Sequence, residues 1–94
     1  ESKRGGGGHI RIKKIDMTRS NYIMHIIASL DEKVTSQEVD IYISNFLSYN
    51  IITKKEAKLL KVATNDNVLN VPHEYKDSLR SSILKNMLLN LIDD

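Results

Sequence analysis

The amino-acid sequence predicts a mainly α-helical chain: four helices, preceded by the remnant of a β-hairpin. Three observations lead there. Glycine is confined to one run, Gly5–Gly8, and the only proline is Pro72, so residues 16–94 hold few helix breakers. Beyond residue 16, apolar residues recur at spacings of three and four, the period of an amphipathic helix. Two Thr-x-x-Glu boxes, at Thr35 and Thr53, mark helix starts.

The head, residues 1–15, reads as half of a hairpin. His9-Ile10-Arg11-Ile12-Lys13 alternates, with Ile10 and Ile12 on one face and His9, Arg11 and Lys13 on the other. Gly5–Gly8 is the loop before this strand, and Glu1–Arg4 the tail of its partner. A strand needs a neighbour and little precedes residue 1, so an N-terminal truncation with part of a preceding domain missing is expected.

The body, residues 16–94, divides into four helices. The first runs from about Thr18 to Leu30 with Ile23, Ile26, Ile27 and Leu30 on one face. The second begins at the Thr35–Glu38 box, carries the stripe Val39, Tyr42, Ile43, Phe46 and Leu47, and stops at Asn50, asparagine taking the left-handed capping role that glycine usually fills. The third begins at the Thr53–Glu56 box and runs through Ala57, Leu60 and Ala63 to about Asn65. Asn65-Asp66-Asn67 is turn material, and Val68–Val71 is expected to be a short extended segment before Pro72. The fourth spans roughly His73–Ile92. Its apolar residues Leu79, Ile83, Leu84, Met87, Leu88, Leu89, Leu91 and Ile92 cover more surface than one core stripe needs. One side is expected to face its own bundle and the other a second subunit.

Composition narrows the function. A chain of 94 residues is one domain, or a domain plus an appendage. At this size roughly 60–65 % of the unfolded surface is buried, so a partner subunit adds substantially to stability. No cysteine is present, which excludes a disulfide scaffold and thiolate metal sites. No apolar run approaches the roughly 20 residues of a membrane span. The formal charge of +2 is unevenly spread: residues 1–14 hold five basic residues against Glu1 alone, a net +4, and the remainder is −2. A basic head points to an anionic partner, nucleic acid first and an acidic membrane surface second.

Enzymatic chemistry finds little support. His9, His25 and His73 lie far apart and never at metal-ligand spacing, so neither a metal nor another cofactor is expected. The paired carboxylates Asp31-Glu32 and Asp93-Asp94 read as solvated termini, and Ser81 and Ser82 have no nucleophile context. Lys54, Lys55, Lys58 and Lys61 form a basic strip that reads as a solvated face, and Tyr42 and Tyr49 read as packing residues. The sharper signal is Lys3-Arg4 followed by Gly5–Gly8 and then Arg11. Glycines let backbone N–H groups approach a ligand closely, and the flanking cations attract phosphate or enter a minor groove. Lys3, Arg4, Gly5, Gly6, Gly7, Gly8 and Arg11 are therefore the candidate DNA-binding residues.

The run Glu1-Ser2-Lys3-Arg4-Gly5-Gly6-Gly7-Gly8-His9-Ile10-Arg11-Ile12 closely resembles the wing tip of the CtsR family, the class-three stress gene repressors, with His9 where the family usually has tyrosine. Ile52-Thr53-Lys54-Lys55-Glu56-Ala57-Lys58-Leu59 is similar to the family's I-x-x-R-E-A-K-M segment, and Lys76-Asp77-Ser78-Leu79-Arg80 to its R-D-x-(L/I)-R stretch. The resemblance implies a cytoplasmic repressor of clp-type heat-shock genes. Residues 1–15 would be the remnant of the β-wing of a winged helix-turn-helix that reads a repeated operator, and 16–94 a C-terminal dimerisation domain. It further implies that Arg4 contacts DNA and is phosphorylated by the protein-arginine kinase McsB. The glycine loop would take part in heat sensing, and released repressor would be degraded by a ClpC–ClpP-type protease. The alternative from the residues alone is a helical dimerising adaptor that binds no nucleic acid. Salt dependence separates the two, because phosphate binding weakens steeply with salt.

Overall fold

The computed structural model describes residues 19–92. They form four helices joined by short connections: α1 (19–29), α2 (Ser36–Ser48), α3 (Lys54–Asp66) and α4 (His73–Ile92). The expected hairpin, its glycine loop and the strand from His9 to Lys13 lie outside the described residues.

Both capping boxes close as their sequences require. Thr35 Oγ1 accepts from the Glu38 N–H (3.1 Å), and the Glu38 carboxylate accepts from the Thr35 N–H (3.0 Å). The Thr53–Glu56 box repeats this at 3.1 and 2.9 Å. Each box satisfies two N–H groups that a helix start leaves unpaired. At the other end of α2, Asn50 adopts φ 58°, the left-handed conformation that ends helices. The Ile51 N–H reaches back to the Phe46 carbonyl (2.8 Å) and the Asn50 N–H to that of Leu47 (3.1 Å), a Schellman arrangement. Its accompanying apolar contact is built in, because Ile51 and Phe46 are buried in one core.

That core joins all four helices: Ile23 from α1, Val39, Ile43 and Phe46 from α2, Ala57 and Leu60 from α3, and Leu84 and Leu88 from α4. Val34, Ile51 and Ile52 enter from the connections. Tyr22, Ile26 and Ile27 of α1, Leu30 just after it, and Tyr42 and Leu47 of α2 pack around it, half-buried, so the stripes expected from spacing are the faces that point inward. The Tyr22 ring stands edge-on to Phe46 with centroids 5.6 Å apart, a geometry favoured by the ring quadrupoles.

One connection departs from expectation. Val68–Val71 is not extended but a series of tight turns. The Val68, Leu69 and Val71 N–H groups donate to the Asn65, Asp66 and Val68 carbonyls at 3.2–3.4 Å. The β preference of valine yields to two tertiary demands: the chain must reverse between α3 and α4, and Val68 must be buried, which it is. The Asn67 amide donates to the Ala63 carbonyl (2.9 Å), capping the end of α3 with its side chain.

Candidate functional site

The candidate DNA-binding residues Lys3, Arg4, Gly5, Gly6, Gly7, Gly8 and Arg11 lie outside the described residues. What the structure places is the end of the domain to which they are joined. Arg19 opens the described part of α1 and reaches Glu56 at the start of α3, Nη2 to Oε2, 3.2 Å. Glu56 thus serves two purposes. One carboxylate oxygen completes the α3 capping box and the other ties α3 to the start of α1.

Partial burial alone would raise the pKa of Glu56. The Thr53 N–H and the Arg19 guanidinium outweigh it, and the net shift is downward from the ordinary carboxylate value. A carboxyl whose folded pKa is lowered contributes stability above its unfolded pKa and loses it as pH falls through the folded value. Glu56→Gln keeps an acceptor but removes the charge, so it is expected to cost at most about 1 kcal/mol at neutral pH. In thermal melts that difference should shrink as pH falls below the ordinary carboxylate value and through the lowered value of the folded protein.

A second polar assembly lies where α4 meets the α1–α2 connection. Arg80 is buried, and its Nη1 donates to the Val34 carbonyl (3.0 Å) and to Asp77 Oδ1 (2.6 Å). The Val34 N–H donates to the Asp77 carbonyl (3.0 Å), and the buried Ser81 hydroxyl donates to the Asp31 carbonyl. Residues 31–34 are therefore stapled to α4 by three hydrogen bonds, and the Arg80–Asp77 contact within α4 supports them. Beside them is an open cleft of about 370 Å³ lined by Leu30, Asp31, Glu32, Ser78, Ser81, Ser82 and Lys85. Sequence reasoning assigned Asp77, Arg80 and Ser81 no role. The available signal was an Asp–Arg pair at i, i+3 bordering the apolar face of α4.

The outer surface is more apolar than the core requires. Tyr75, Leu79 and Leu89 on α4 are exposed and Ile83 is half-buried, while Leu84 and Leu88 face the core. Leu59 and Val62 on α3 are also exposed. Tyr42 is half-buried against the core. Tyr49 is largely exposed, and its ring meets Tyr22 at 5.7 Å. His25 and His73 are exposed, and among the described residues no His, Cys, Asp or Glu cluster could hold a metal ion.

Residues 18–89, all four helices nearly to the end of α4, match the family described as the CtsR C-terminal dimerization domain. The chain belongs to the CtsR family. Among curated proteins it is similar to the "Transcriptional regulator CtsR" of Staphylococcus aureus (strain USA300), 34 % identical over 94 % of this chain and 58 % of that protein. The protein of the same name from Staphylococcus haemolyticus (strain JCSC1435) is 33 % identical over the same shares. The chain thus spans well under two thirds of the length of these CtsR relatives. They are named transcriptional regulators, not enzymes, in keeping with a sequence that offers no convergent catalytic groups. No solved structure matches the chain. Among the described residues, no helix is long and apolar enough to cross a membrane.

Proposed function

We propose that the chain is the dimerising part, with the wing tip, of a DNA-binding repressor of clp-type heat-shock genes. The observation that carries this reading is a conjunction. The family match over 18–89 is preceded by the run Lys3-Arg4-Gly5–Gly8-His9-Ile10-Arg11 that resembles the family's wing. In this reading Lys3, Arg4 and Arg11 meet the phosphates or minor groove of an operator, with Gly5–Gly8 allowing the backbone close approach. The helical domain forms a homodimer, for which the exposed flank of α4 (Tyr75, Leu79, Leu89) offers apolar surface. Phosphorylation of Arg4 by an McsB-type kinase would set phosphate against phosphate and release the repressor. Release would be followed by ClpC–ClpP-type proteolysis. Four glycines make the loop entropically costly to order on DNA, which supports early release on heating.

The test joins this chain to the remaining part of the Staphylococcus aureus relative and measures operator binding by gel shift at fixed salt. Arg4→Ala is expected to weaken binding by about tenfold to a hundredfold, the value of a charge-assisted contact. Unchanged affinity would remove Arg4 from the interface. Weak association indifferent to salt would favour the helical adaptor instead.

A further inference from the structure

We propose that Lys54, Lys55 and Lys58 form a second phosphate-contacting surface, on the helical domain itself, for the backbone of duplex DNA. This deepens the DNA-binding reading and rests on it. Lys54, Lys58 and Lys61 follow one another at i, i+4 and i+7 along one side of α3 with Lys55 beside them, and all four are exposed. Lys61 has a counterion, Asp40 of α2 at 3.8 Å. Among the described residues Lys54, Lys55 and Lys58 form no ion pair. The nearest acid in sequence, Glu56, is taken up by Thr53 and Arg19.

Local stability does not account for these lysines. Lys54 and Lys55 occupy the first turn of α3, where the helix macrodipole already presents positive charge and cations are disfavoured. Lys54 and Lys58 are like charges at i, i+4, which repel. A cluster that opposes its own helix calls for an anion from outside. Lysine, a flexible point charge without the planar fork of arginine, suits phosphates that are met without sequence reading.

Position names the partner. The Arg19–Glu56 pair holds the start of α3 against the start of α1. Only four residues separate Arg19 from Lys14, the last cation of the basic head. The lysines therefore stand at the end of the domain joined to the segment that reads DNA. An operator engaged by Arg4 and Arg11 would run close to them.

The experiment is fluorescence anisotropy of the 94-residue chain with a labelled mixed-sequence duplex, titrated between 50 and 200 mM salt. Each phosphate contact contributes about 0.9 to the slope of log affinity against log salt. Lys54→Gln/Lys55→Gln/Lys58→Gln is expected to reduce that slope by up to about 2.7, so the loss of affinity across this range shrinks by up to roughly 40-fold. The substitutions relieve charge at the positive end of α3, so the melting temperature should hold or rise. The matching lysine-to-arginine variant should restore the slope. An unchanged slope in the glutamine variant would overturn the inference and leave the role of Arg4, tested separately above, standing. It would also be overturned if the unsubstituted chain bound polyglutamate but no duplex, which would make the strip a surface for acidic proteins.

Discussion

Leu88→Asp should abolish the fold, whereas Leu89→Asp, one position on, should leave it intact and weaken self-association. The two leucines are chemically identical and differ in where α4 turns them. Leu88 is fully buried, and Leu89 is 40 % exposed. An unpaired carboxylate at Leu88 would have to stay charged in an apolar core or take up a proton, and either costs several kcal/mol. A domain of this size has only about 5–10 kcal/mol of stability in total. Leu84, also fully buried, should behave like Leu88. The milder Leu84→Ala and Leu88→Ala should each cost about 2–5 kcal/mol in urea titrations, the transfer free energy of the lost methyls plus the cavity they leave. Leu89→Asp should change monomer stability by no more than about 0.5 kcal/mol. Circular dichroism separates the two classes, and sedimentation reads the dimer. A folded Leu88→Asp chain would contradict the core assigned here.

Spacing alone showed that α4 is apolar over too much of its circumference. It could not say which leucines face the bundle. The structure does, because the answer depends on where three other helices lie. What was legible in the sequence is what local chemistry decides: the Thr35–Glu38 and Thr53–Glu56 boxes, the stop at Asn50, and the stripe from Val39 to Leu47. Each of those rests on contacts within one turn or one helical face. Val68–Val71 reads as extended in the sequence because valine favours strands, but that preference is weak against the need to bury Val68 in a reversal. A cation on an amphipathic helix normally points to water, so local sequence gives no sign that Arg80 is buried. Its burial depends on Val34, distant in sequence but adjacent in space. The candidate DNA-binding residues are read from the Lys-Arg-Gly-Gly-Gly-Gly run alone and lie outside the described residues.

The second large effect concerns the staple between α4 and the α1–α2 connection. Asp77→Ala should destabilise the domain by about 2–4 kcal/mol, more than the loss of a half-exposed carboxylate would suggest. The reason is the partner left behind. Arg80 is buried, its Nε has no hydrogen-bond partner among the described residues, and without Asp77 its charge would rest on the Val34 carbonyl among them. Removing the arginine instead should cost less. Arg80→Met fills much of the same space with an apolar chain, leaves Asp77 free to meet water, and strands only the Val34 carbonyl, a loss of about 1–3 kcal/mol. Arg80→Lys should rescue in part, because both bonds come from the single nitrogen Nη1 and an ammonium has donors for both, on a shorter stem. In the double variant Asp77→Ala/Arg80→Met the unpaired cation is gone. The combined loss should therefore fall short of the sum of the single losses by about 1–3 kcal/mol. Chemical denaturation of the four proteins in this cycle measures that coupling directly. Strict additivity would mean that Asp77 does not neutralise Arg80, and that the α1–α2 connection is held by Val34 and Ser81 through their backbone contacts alone.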